Sequence, residues 1–184
     1  MQHIRQSIRR IVVVAMIVAG LSSVPASASP FGQGVFGADV PFGSITSLAI
    51  NLGGNVSLVL NPDGSNLRGS GSHTITVTST DVVGYQLFAR SNGSSDMVNS
   101  NGAVIPASSN GSFAPLSVGN WGYNLDASNN YRGMSTTPTL LKDTSGPAKA
   151  GDNTTVTYGA FTDSTQDSGS YTTSVIYTVV AENQ

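Results

Sequence analysis

The sequence predicts an all-β fold. It reads as an antiparallel two-sheet sandwich, immunoglobulin-like or a jelly-roll Greek key, of about seven to nine strands. Three observations predict it. Apolar residues recur at every second position through most of the chain, the period of a half-buried strand. No segment beyond residue 28 carries apolar residues at i, i+3, i+4 and i+7 over three turns, so no amphipathic helix is written there. Threonine, valine and tyrosine fill the periodic stretches, and Asn-Gly, Gly-Gly and Pro-Asp-Gly clusters punctuate them.

The first 28 residues stand apart from this pattern. Arg5, Arg9 and Arg10 precede an apolar run from Ile11 to Leu21, and Ala26-Ser27-Ala28 closes the stretch. That is the layout of a cleaved secretory signal peptide. The apolar run has eleven residues and Pro25 follows it, whereas a membrane-spanning helix needs about 20. Cleavage leaves 156 residues, one domain by length and enough for a sizeable core. No second run of spanning length exists, so no transmembrane segment is expected after cleavage.

Residues 29–43 (SPFGQGVFGADVPFG) read as a flexible or extended Gly- and Phe-rich arm, without the strand alternation of the domain. Phe31, Val35, Phe36 and Phe42 are its apolar hooks. They are expected either to fold back onto the domain or to dock on a neighbouring subunit.

The domain proper is expected at 44–184. Leu48, Ile50 and Leu52 alternate with polar or small residues, Gly53-Gly54-Asn55 follows, and Val56, Leu58 and Leu60 resume the alternation. This predicts a hairpin turning at Gly53-Gly54-Asn55 and ending at Asn61-Pro62-Asp63-Gly64. His73–Ser79 is the next strand, and Tyr85, Leu87 and Ala89 mark the one after it. Residues 91–112 make a long polar loop with three Asn-Gly steps, with room for short strands at Met97-Val98 and Val104-Ile105. Such a loop on a rigid sandwich is a natural carrier of specificity. Trp121, Tyr123 and Leu125 alternate, Thr139–Lys142 and Thr154–Phe161 read as strands, and Tyr171–Val180 closes the series.

Composition removes several functions. Beyond residue 28 the chain keeps five Lys/Arg against ten acids, a net charge of −5, which excludes the basic patch that nucleic acid or anionic lipid requires. With no cysteine there is no disulfide framework and no zinc-thiolate site. His73 is the single histidine after residue 28 and sits among serines, read as solvated or turn-bonding rather than as a catalytic base. The only glutamate, Glu182, stands near the end of the chain, so paired-carboxylate chemistry has no partners and no enzyme is predicted. No cofactor is required either. Calcium is the one ion its oxygen-rich turns leave open, at Asn61, Asp63 and Ser65, at Asp126 and Ser128, and at Asp163 and Asp167. Turn formation is the first reading of these residues.

The segments Asn120-Trp121-Gly122-Tyr123-Asn124-Leu125, Thr154-Thr155-Val156-Thr157-Tyr158-Gly159 and Gly169-Ser170-Tyr171 to Val179 resemble those of small exported β-sandwich surface proteins of bacteria. Thr76-Val77-Thr78 to Gly84-Tyr85-Gln86-Leu87 fits the same pattern, and there is a looser likeness to the WxL cell-wall-binding domain. The resemblance implies a secreted protein of the bacterial cell surface, and no activity. Two roles follow as expectations. One is a structural subunit of a fibre, pilus or surface matrix, whose partners are further copies or other surface subunits reached through the arm by strand addition. The other is a monomeric adhesin or cell-wall or host-glycan module that stacks sugars on Trp121, Tyr123 and Tyr131.

Overall fold

The structure, a computed structural model, describes residues 47–182, so the expected leader (1–28) and arm (29–43) lie outside the described residues. Those described residues form twelve strands and no helix, and every strand pairing is antiparallel. The larger sheet holds β1 (Ser47–Leu52), β3 (Asn66–Thr80), β11 (Asp152–Asp163) and β8 (Asn120–Asn124) in that order, with β2 (Asn61–Asp63) also on β3. The smaller sheet has the order β10 (Thr139–Ser145), β4 (Gly84–Ser91), β12 (Val175–Glu182). Two short ribbons complete the set: β5 (Met97–Val98) with β6 (Val104–Ile105), and β7 (Ala114–Pro115) with β9 (Asn130–Tyr131). The short strands inside loop 91–112 fall where the sequence puts them.

The predicted alternation sets the core. Ile75 and Val77 of β3, Tyr85, Leu87 and Ala89 of β4, and Val156, Tyr158 and Ala160 of β11 all point inward. Trp121 and Tyr123 of β8 join them, and Met97, Ile105 and Met134 close the cluster. Each fully buried side chain of this size contributes about 1.5–3 kcal/mol by leaving water.

Three strand boundaries depart from the sequence reading. Gly53-Gly54-Asn55 makes no hairpin: Leu52 faces Ile75, Asn61 faces Arg68, and the stretch between them follows the same edge of β3. Eight residues there lie against six of β3, and the surplus swings the chain inward. Gly69 and Gly71 admit it, since a Cβ on Gly71 would lie 2.6 Å from the Ser57 carbonyl oxygen and one on Gly69 would strike that of Val59. Val56, Leu58 and Leu60 reach the core from this inward segment. Alternation reports the face a residue takes, not the strand it pairs with. The true reversal is the two-residue turn Gly64-Ser65 between Asp63 and Asn66, where Gly64 takes φ 65°. β3 begins at Asn66 rather than His73, and β12 begins at Val175 rather than Tyr171.

Gly122 and Gly159 face each other across β8 and β11, on the outer side of the larger sheet. They leave a flat floor on which Tyr131 lies buried: a Cβ on Gly159 would sit 2.5 Å from its ring. This explains the glycine in each of the Trp-Gly-Tyr and Thr-Tyr-Gly segments. The two sheets are also tied by a polar clamp. Tyr85 Oη of β4 donates to Asp152 Oδ2 of β11 at 2.7 Å, and Lys142 Nζ of β10 donates to Oδ1 at 2.6 Å. Burial raises the Asp152 carboxyl, but the hydrogen bonds from Lys142 and Tyr85 and the Lys142 charge outweigh it and hold it below the usual carboxylate value.

Two stability outcomes follow. Gly159→Ala should overpack the Tyr131 seat and cost about 1–3 kcal/mol, read as a lower urea midpoint. Gly111→Ala, whose Cβ would meet nothing within 4 Å, should leave the midpoint in place. The clamp contributes stability that is present above the unfolded carboxylate value near 4 and lost as pH falls through the lowered folded value. Asp152→Asn should therefore cost about 0.5–1 kcal/mol at neutral pH, a modest figure because the pair is about one-third exposed. It should also flatten the acid limb of a stability-versus-pH series.

Candidate functional site

Toward Asn66 the inner face of β3 loses bulk, from Ile75 to His73, Gly71 and Gly69. A groove of about 450 Å³ opens there between the two sheets. The inward segment around Val56 forms one wall, the chain entering β12 around Thr173 forms the other, and Met97 and Trp121 border it. Its lining contains no Asp, Glu, Lys or Arg side chain.

A directed chain of hydrogen bonds crosses the groove. The Gly54 carbonyl can only accept, so His73 Nδ1, 3.1 Å away, donates to it. In the neutral ring Nε2 then accepts from Tyr177 Oη at 2.9 Å, and Tyr177 Oη in turn accepts from Tyr158 Oη. The Tyr177 and Tyr158 rings lie 5.5 and 6.0 Å from the imidazole, both tilted, and Trp121 stands 6.2 Å from Tyr158. The chain links the inward segment, β3, β11 and β12. Burial pushes the Tyr158 hydroxyl up to about 12, even though its bond to Tyr177 works the other way. Tyr177 is driven up by burial first, then by the charge and hydrogen bond of Tyr158.

The sequence-predicted site residues take other places. Trp121 and Tyr123 are each 1% exposed and Tyr131 5%, so all three are interior residues rather than stacking platforms. Trp121 Nε1 donates to the Ser95 carbonyl at 3.0 Å, and Phe113 meets Tyr123 edge-on at 6.1 Å. Phe31, Val35, Phe36 and Phe42 lie outside the described residues. His73 faces inward within β3 instead of sitting solvated at a strand start. Its spacing of two from Ile75 and four from Val77 is the signal that could have placed it. The oxygen-bearing turns use their oxygens locally. Asp126 accepts from the Ser128 amide at 3.1 Å, Asp163 accepts from the Thr165 amide at 2.7 Å, and Asp63 pairs with Arg68. Among the described residues no three His, Cys, Asp or Glu side chains converge as metal ligands.

The sheet edges differ in protection. The outer edge of β8 is covered by backbone bonds to Pro106, Ser108 and Arg132. β10 carries Lys142, Asp143 and a register shift between Leu140 and Lys142, all devices that blunt an edge. Among the described residues β12 pairs only with β4, and it runs without charge or proline from Val175 to Ala181. Among the described residues β1 pairs only with β3, and it shares the inner-face parity of Leu48 at Ile50 and Leu52, yet these two are 36% and 47% exposed.

Fold and groove together define an all-β sandwich with an unprotected edge strand beside an uncharged cleft. Comparison with known proteins agrees at the level of the fold. A chain from the solved structure described as "Chaperone-tip adhesin complex is vital for synergistic activation of CFA/I fimbriae biogenesis" superposes with a TM-score of 0.50 at 15% identity. The match covers 74% of this chain and 42% of that one, so the chain spans less than half the length of this structural neighbour. No family model and no curated protein matches the sequence. Among the described residues, no helix is long and apolar enough to cross a membrane.

Tyr177→Phe would leave His73 Nε2 and the Tyr158 hydroxyl without their shared partner, at a cost of about 1–3 kcal/mol, measured by urea unfolding. The raised tyrosines favour the folded state below their unfolded value near 10, and this contribution is lost as pH climbs toward the folded values. Phenolate absorbance of the native protein should therefore lag behind that of the urea-unfolded chain. Coincident titrations would contradict the buried relay.

Proposed function

We propose that this chain is an exported structural subunit of the bacterial cell surface, part of a fibre, pilus or surface matrix. Residues 1–28 act as its cleaved signal peptide. The arm, through Phe31, Val35, Phe36 and Phe42, joins copies by adding a strand to a neighbour's sheet. The observation that carries the reading is the pair of bare edges: among the described residues β1 and β12 each pair on one side only and lack charge, proline and bulge over their apolar length. Such edges template the pairing of another strand unless something covers them. Head-to-tail addition of this kind generates an open filament rather than a closed ring when the rotation does not close.

Partners in this reading are further copies or other surface subunits, and the acidic balance leaves nucleic acid out. The likeness in fold to a chain of a fimbrial chaperone–adhesin complex supports it. The reading assigns no catalytic role, in keeping with a His73 whose two ring nitrogens are committed to Gly54 and Tyr177. The monomeric glycan-binding alternative has less support, because Trp121, Tyr123 and Tyr131 are buried.

Deleting residues 29–43 should abolish filaments in negative-stain electron microscopy and leave the urea midpoint of the domain unchanged. Filaments that survive the deletion would rule out assembly through the arm.

A further inference from the structure

The open side of the sandwich has a specific shape. The larger sheet is four strands across and the smaller one three, and β1 at the edge of the former lies against β12 at the edge of the latter. The inner-face residues Ile50 and Leu52 of β1 stay exposed, and among the described residues no fourth strand of the smaller sheet lies over them. The groove below Val56, Tyr177 and Val175 continues the same uncovered strip. Among the described residues the smaller sheet thus lacks one strand beside β12, and a strand placed there would need one apolar face and little charge.

The last seven residues of the arm carry that pattern. Phe36, Ala38, Val40 and Phe42 alternate with Gly37, Asp39 and Pro41, and Asp39 is their only charge. Seven residues span about 23 Å as a strand, close to the span of the eight-residue β12. Residues 37, 39 and 41 share a hydrogen-bonding side, so Pro41, which has no N–H, is tolerated if that side faces solvent as the new edge. The side of residues 36, 38, 40 and 42 is then free to bond to β12. Only four residues, 43–46, separate Phe42 from β1.

We infer that residues 36–42 of a second copy of this chain pair with the free edge of β12 and lay Phe36, Ala38, Val40 and Phe42 over Ile50, Leu52 and the adjoining groove. This rests on the assembly reading above and assigns it a receiving strand. The edge of β10, blunted by Lys142 and Asp143, is left unused. A fold-back of the chain's own arm into the same place is the competing occupant.

The absence of native cysteine makes disulfide trapping unambiguous. One variant carries Asp39→Cys. It is mixed under mild oxidation with a second variant carrying Thr178→Cys or Val180→Cys, both at exposed β12 positions. Leu140→Cys on β10 and Asn51→Cys on β1 serve as rival edges, both exposed. The expected result is a covalent heterodimer with position 178 or 180, at several-fold higher yield than with 140 or 51. Preferential capture at 140 or 51, or no capture at any edge while the wild-type chain still assembles, overturns the assignment of β12. An intrachain bond in the Asp39→Cys/Thr178→Cys double variant, seen as a faster-migrating monomer, overturns the second copy as occupant. Loss of the assembly reading shows separately, as filaments that persist when residues 29–43 are removed.

Discussion

The twelve-residue pairing of β11 with β3 is the constraint on which the rest of the molecule depends. Its register places Tyr158 opposite Gly71, and so sets a bulky inward side chain beside the position where β3 is bare. It brings Asp152 level with Val77, where the carboxylate meets Tyr85 and Lys142 of the other sheet. On its other side β11 pairs with β8, which aligns Gly159 with Gly122 and builds the floor under Tyr131. A slip of one residue would turn Val156, Tyr158 and Ala160 to solvent and dismantle all three features together.

The groove follows from this arrangement. Gly69 and Gly71 let the chain between β1 and β2 pass over the inner face, so the end of the sandwich is filled by a strap rather than by strand side chains. The strap packs incompletely, and His73 ties it down through the Gly54 carbonyl while Tyr177 ties His73 to β12. The cleft mixes Val56, Leu58 and Val175 with Asn55, Thr173 and Ser174 and has no charged side chain among these described lining residues, so it suits an uncharged occupant better than a charged one. That agrees with an edge beside it that carries no charge or proline from Val175 to Ala181.

Much of the architecture was legible because inward and outward residues differ so sharply in β3, β4 and β11. Ile75, Val77, Tyr85, Leu87, Val156 and Tyr158 announce themselves by period. Pairing was not legible in the same way. Val56, Leu58 and Leu60 alternate as a strand does, yet their partner is the face of β3 and not β1, a choice made by two glycines some twelve residues downstream. The roles of Trp121, Tyr123 and Tyr131 were open in the sequence, since a strand aromatic serves a core or a platform equally well; Trp121 and Tyr123 enter the core on the inner face, while the glycines at 122 and 159 seat Tyr131 on the outer face of the larger sheet. His73 was hidden by its polar neighbours Ser70, Ser72 and Thr74, although its parity with Ile75 put it on the inner face.

The long-range character of the sheets sets the pace at which they form. β11 must find β3, and β12 must find β4, across about 75 to 100 residues of intervening chain. Among the described residues the β2–β3 turn and the short β5–β6 ribbon are local, while the large sheets rest on distant closures, so the chain belongs to the millisecond-to-second class of folders. Until β12 arrives, β4 has a partner on one side alone. During that interval Ser47–Leu52 (SLAINL), uncharged and without proline, stands ready to pair with whatever strand reaches it first. Folding and self-association therefore draw on the same unpaired backbone, and high chain concentration during refolding would favour tangled aggregates over ordered growth.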